Sequence, residues 1–262
     1  MIIFNKARKE FIDLFAEDIV KQFDFKEVII PERIAEFNEL PYFFDHYGSY
    51  FDGMLVWDKS QFYAHINLDR VITNNSPRSR FTFAHELGHF FIEEHQIAIK
   101  GASHPSKYRI DDKNLMEQEA NYFAASLLMP YNQFKRACYK RKLSFVLIEE
   151  LSHLFQTSSL ATILRFIVAG TYPVMVSFFE NKRLKWFDRS EDFPYKVFKS
   201  KISQPPPPTS VLGEYYLDPE KKFTTIERIN TDDWFVTNFK TTLNEQCFYS
   251  DYGYEISMVW PD

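Results

Sequence analysis

Apolar residues recur at helical spacing through the first stretch, MIIFNKARKEFIDLFAEDIVKQF, with charges filling the remaining positions, which predicts an amphipathic helix. From Met54 to Leu68, MLVWDKSQFYAHINL, the spacing shortens to rough alternation about a central DKS, the pattern of a β-hairpin. The segment NNSPRSR, Asn74 to Arg80, then supplies helix-start chemistry, with Ser76 as the cap and Pro77 just behind it. The helix it opens carries Phe81, Ala84, Gly88, Phe91 and Ile92 around one side, and Gly88 lets another element approach closely. Such a helix is buried. After His95 no period is visible as far as Asp112, so a loop is expected. Leu115 to Met129, LMEQEANYFAASLLM, is a second helix stopped by Pro130. Two further helical runs between Ser144 and Ala169 join around QTS, with Ser158 or Ser159 as cap, in a helix-turn-helix outline.

From Tyr172 onward the pattern turns to strands. PVMVSFFENKRLKWF contains a turn at ENK, and DWFVTNFKTTLNEQCFYSDYGYEISMVW has the same texture. The interrupting QPPPP, Gln204 to Pro208, is read as a stiff surface loop rather than a polyproline ligand. The expected class is α+β, with a helical and hairpin-containing domain over residues 1–170, including the helix-turn-helix-like segment at about 144–169. A β-rich region over 171–262 is expected to be sensory or substrate-binding.

Composition narrows the function classes. Hydrophobic residues at 45% against 26% charged describe a folded protein. Only seven glycines leave little material for loops that cradle nucleotide phosphates, and neither a P-loop nor a dinucleotide fingerprint occurs. A formal charge of -5 is the wrong sign for a chain whose main partner is a phosphate backbone. Cys138 and Cys247 match no metal or redox spacing and are expected to be free core thiols of a cytoplasmic protein. The charged N-terminus reads as neither signal peptide nor membrane anchor.

The chemistry concentrates in RFTFAHELGHFF, Arg80 to Phe91. On a helix His85 and His89 lie one turn apart on one face, so both imidazoles can point at a common centre. Glu86 projects about 100° around the same helix, within reach of a water on that centre. This is the H-E-x-x-H geometry of zinc peptidases. A catalytic zinc takes three protein ligands and keeps a position open. The third is sought among Glu93, Glu94, Glu117, Glu119 and His104. On a helical wheel Glu117 falls near the stripe of Ala120, Phe123, Ala124, Leu127 and Leu128, where a metal would compensate a carboxylate's burial. Glu119 falls among Gln118, Tyr122 and Ser126 and is expected to be solvated. Asn121, one turn beyond Glu117, can hydrogen-bond a ligand and fix its orientation.

RSRFTFAHELGH followed by EQEANYFAASLLMP resembles the ImmA/IrrE metallopeptidases through both helices, firmly over residues 67–130. The resemblance implies a thermolysin-like zincin fold with a small antiparallel sheet, zinc held by His85, His89 and Glu117, and Glu86 as general base. It also implies a protein substrate, a DNA-binding helix-turn-helix repressor, in stress or mobile-element regulation. His104 or Tyr108, between the motifs, is a candidate donor to the oxyanion. Iron or manganese could occupy a similar ligand set. The rival reading is a DNA- or protein-binding regulator with a structural or vestigial metal. Against DNA binding, the second helix of the helix-turn-helix outline, SLATILRF, offers one basic residue, Arg165. No membrane association is expected.

Overall fold

A computed structural model describes residues 5–23, 28–71, 73–101, 110–215, 224–238, 240–250 and 253–262, without the side chains of 110–114 and 215. The chain divides into two compact units, Met1–Phe134 with Leu151–Thr162, and Lys135–Glu150 with Ile163–Asp262.

The first unit opens with the amphipathic helix α1, Lys6–Lys21, capped by Asn5, whose side chain accepts from the Arg8 backbone N–H. After a short helix α2, Pro31–Phe37, comes a three-stranded sheet of β1, Tyr42–Asp45, β2, Gly53–Trp57, and β3, Phe62–Asn67. β2 and β3 form the hairpin read from the alternation, pairing Trp57 with Phe62 across the DKS turn. β1 was not foreseen. It lies on the other side of β3 and runs parallel to it, so the sheet is mixed rather than antiparallel, in the order β1-β3-β2. A strand that is not joined to its neighbour by a tight turn is free to take either direction.

α3, Pro77–Phe91, begins as its sequence dictates: the Ser76 side chain accepts from the Ser79 backbone N–H and Pro77 occupies the first turn. Arg80 is buried and donates to the carbonyl oxygens of Ile29 and Gln156, pinning the start of α3 to two other segments. The stretch expected to be a loop contains a further helix, α4, Glu93–Gly101. Its period is hidden because only His95 is buried along it, so the helix shows no apolar stripe. The following helix α5, Ile110–Leu128, ends before Pro130 as expected and begins five residues earlier than the apolar pattern. Pro130 does not end helical structure for long, since α6, Tyr131–Cys138, follows at once. At Gly88 the helices α3 and α5 approach closely: a Cβ there would sit 3.1 Å from the Ala120 Cα. The core includes Phe83, Ala84 and Leu87 of α3, Phe123 and Leu127 of α5, and Ile12 and Ile19 of α1.

The helix-turn-helix outline is present as α7, Phe145–Phe155, and α8, Ser159–Ala169, with Ser144 and Ser158 accepting from the Leu147 and Ala161 backbone N–H groups. In the second unit, β4, Met175–Glu180, and β5, Arg183–Arg189, form the hairpin expected at ENK, with Asn181 and Lys182 both at positive φ. With β6, Glu227–Asn230, β7, Thr242–Tyr249, and β8, Tyr254–Pro261, they make an antiparallel sheet of order β5-β4-β8-β7-β6. Two short helices, α9, Val211–Tyr215, and α10, Thr231–Trp234, interrupt the strand texture, so Asp233 and Trp234 are helical rather than extended. The buried Glu245 accepts from Trp234 Nε1–H at 3.0 Å, Ser257 Oγ–H at 2.7 Å and the Val211 backbone N–H at 3.0 Å. Both cysteines are buried and free.

Candidate metal centre

α3 and α5 present three groups to one another. His85 Nε2 lies 3.1 Å from His89 Nε2. Glu117 places Oε2 3.2 Å from His85 Nε2 and Oε1 3.8 Å from His89 Nε2. One potential ligand atom from each residue falls within 4.8 Å of the others, and among the described residues no other cluster of histidine, cysteine and carboxylate does so.

The remaining ring nitrogens test whether this set suits a cation. His85 Nδ1 faces Asn121 Oδ1 at 3.0 Å, an acceptor, so Nδ1 carries the proton. His89 Nδ1 faces His95 Nδ1 at 3.1 Å. When both Nδ1 atoms donate, both Nε2 lone pairs point inward beside the Glu117 carboxylate. Three electron-rich groups converging on one point fit a divalent cation, and the two-imidazole, one-carboxylate set is that of catalytic zinc. Burial drives the His89 pKa down to about 3, with the charges of His85 and His95 adding to the effect, which leaves its ring neutral.

Glu86 sits on the next position of α3, buried at 4% exposure. Burial raises its pKa to about 7, opposed by His85, reinforced by Glu117, and tempered by a hydrogen bond from the Leu55 backbone N–H. It is packed against β2: a Cβ on Gly53 would lie 2.6 Å from Glu86 Oε1.

Two assignments made from the helical wheel are corrected. Glu117 is not on a buried edge, since its side chain is 46% exposed, although it does face the histidines. Glu119 is not solvated; it is buried at 6%. The wheel classed its face of α5 as polar and therefore wet, but α1 packs there with matching polar groups. Arg8 donates to Glu119 through Nε at 2.9 Å and Nη2 at 2.8 Å, while Asp13 accepts from Tyr122 and Ser126, each at 2.7 Å. Burial favours the neutral acid of Glu119, yet hydrogen bonds from His95 and Arg8 outweigh it and hold the pKa at about 2. Glu93 and Glu94 lie in the first turn of α4, and Glu94 pairs with Arg8. His104 and Tyr108 lie outside the described residues. The sequence reading gives His95 no role. The available signal was a third histidine six residues beyond the H-E-x-x-H pair.

Two helices bearing this centre beside a small sheet define a metallopeptidase-like α+β domain. Residues 57–166 match the peptidase family described as the IrrE N-terminal-like domain, so this segment is similar to domains of the ImmA/IrrE metallopeptidase type. No curated protein matches the chain. Among solved structures it is similar to a Mycobacterium tuberculosis transcriptional regulator, at 13% identity and a TM-score of 0.64, over 96% of this chain and 76% of that one. At that identity the likeness concerns the fold.

Proposed function

We propose that the protein is a zinc-dependent endopeptidase of the cytoplasm that cleaves a protein substrate, a helix-turn-helix transcriptional repressor, in stress or mobile-element regulation. The observation that carries this reading is the convergence of His85, His89 and Glu117 beside a buried Glu86 whose pKa is near 7. His85, His89 and Glu117 would hold the ion, with Asn121 orienting His85. Zinc in such a set supplies Lewis acidity, acidifying a water and polarising the scissile carbonyl. Glu86, buried beside the centre, accepts the water's proton and returns it to the leaving amine. Residues 1–170 would then form the peptidase domain and 171–262 a sensory or substrate-binding region.

The DNA-binding alternative finds less support. The one basic residue of α8, Arg165, is 2% exposed, and Leu164 and Val168 are among the residues that α8 exposes. A reader of the duplex exposes polar and basic groups instead. No helix among the described residues is long and apolar enough to cross a membrane.

The test compares zinc-loaded wild type with Glu86→Gln in lysate of the source cell, reading newly created protein N-termini by mass spectrometry. The expected result is a few cuts unique to the wild type, with zinc content equal in both proteins because Glu86 is not a ligand. Identical profiles would remove the peptidase reading.

A further inference from the structure

The Nδ1 side of His89 leads away from the metal centre along a continuous hydrogen-bonded line. His89 Nδ1 meets His95 Nδ1 at 3.1 Å, and His95 Nε2 meets Glu119 Oε2 at 3.2 Å. Arg8 of α1 grips both Glu119 oxygens and also reaches Glu94, at 3.2 and 3.3 Å. His95 is 1% exposed at its side chain and Glu119 8%, so water does not offer these atoms alternative partners.

The direction of each hydrogen bond is set by the far end. Glu119, ionised beside the Arg8 guanidinium, can only accept. His95 Nε2 must therefore carry a proton and donate it. If that is the only proton on the His95 ring, its Nδ1 is bare and can only accept, so His89 Nδ1 donates to it. His89 Nε2 is left with its lone pair directed at His85 and Glu117. With the same singly protonated His95, a proton on His89 Nε2 would place two bare Nδ1 atoms face to face in a buried site and block the coordinating nitrogen.

We infer that His95 is a positioning residue, and that the Arg8–Glu119–His95 line fixes His89 in the one tautomer that can bind a metal ion. The inference rests on the metallopeptidase reading only in taking the centre to be a metal site. It assigns no role to the cleaved bond. It also gives α1 a part in the centre, through Arg8, although α1 lies outside the matched segment of residues 57–166.

The test uses the full chain with His95→Phe, which keeps a ring but offers His89 no acceptor, and His95→Asn, whose side-chain oxygen can take the place of Nδ1. Long-range proton–nitrogen spectra of the metal-free proteins identify the protonated ring nitrogen of His89. Competition against a chromophoric chelator gives zinc affinity, and thermal midpoints monitor folding. In wild type, His89 should be protonated at Nδ1. In His95→Phe it should become a mixture of tautomers and zinc affinity should fall roughly 10- to 100-fold, the usual cost of losing a group that orients a ligand. His95→Asn should recover most of that loss. Wild-type His89 protonated at Nε2, or a folded His95→Phe that binds zinc like wild type, overturns the inference. Should His95→Phe not fold, the wild-type tautomer and the His95→Asn affinity decide. A protein that binds zinc with His89 in the expected tautomer but cleaves nothing would sink the peptidase reading and support this one.

Discussion

Gly53 controls where the Glu86 carboxylate can sit. Its missing Cβ would lie 2.6 Å from both Glu86 Oε1 and Thr82 Cγ2, closer than non-bonded atoms approach. Gly53→Ala must displace the Glu86 side chain while leaving His85, His89 and Glu117 in place. Zinc content measured by elemental analysis should stay at wild-type level. Cleavage of a substrate found by N-terminal profiling should slow on the order of 10²-fold, the effect of misplacing a reacting group by about 1 Å. A variant as fast as wild type would mean that Glu86 is not the base. The His85, Glu86 and His89 cluster is legible from spacing alone, because helical periodicity by itself decides which side chains share a face. The helical wheel favours Glu117 over Glu119 on burial, and the structure reverses that order of burial. A wheel locates a side chain in angle but cannot tell which face a distant helix covers. His95 was illegible for a related reason: its role depends on what lies against it, 24 residues on at Glu119 and, through Glu119, at Arg8.

At the scale of elements, the junction of α1 with α5 and the start of α6 is polar and includes the buried Glu17, Glu119 and Ser126. Asp13 accepts from Tyr122 and Ser126, Glu17 from the Asn132 backbone and side-chain N–H groups, and Glu119 from Arg8 and His95. Because the folded pKa of Glu119 is lowered from 4.5 to about 2, its ionisation stabilises the fold fully above pH 4.5. That contribution is lost as pH falls toward 2. Denaturant titrations of wild type and Glu119→Gln should therefore show the wild type more stable at pH 6, with the gap shrinking steadily between about pH 4.5 and 2. A gap constant with pH would place the carboxylate's worth elsewhere. The elements themselves were mostly readable: α1, the β2–β3 hairpin, α3, α5, α7, α8 and the β4–β5 hairpin each carry a periodic stripe or a turn residue. β1 and α4, absent from the sequence reading, lack one. β1 has four residues that alternate between half-buried and exposed with none fully buried, and α4 buries only His95. Pattern reports burial, and an element that buries little leaves little pattern.

For the whole molecule, the candidate ligands and every residue of the line to Arg8 lie in the first unit, whereas the second unit is organised around Glu245. Glu245→Ala strips an acceptor from Trp234, Ser257 and the first N–H of α9, all in buried surroundings. It should destabilise the second unit by about 3 kcal/mol or more, as buried donors left without partners accumulate. Trp234 emission would register the change, and zinc affinity should remain within error of wild type. A parallel loss of zinc binding would show that the centre depends on the second unit. The separation of Arg8 from Glu119 by 111 positions has a further consequence, which concerns time. A chain emerging from the ribosome displays its N-terminal helix and then both histidines before Glu117, His95's acceptor and the Asn that steadies His85 have been made. The nascent protein therefore cannot complete its metal-binding set early, and whatever activity the centre confers begins only after synthesis has passed residue 121.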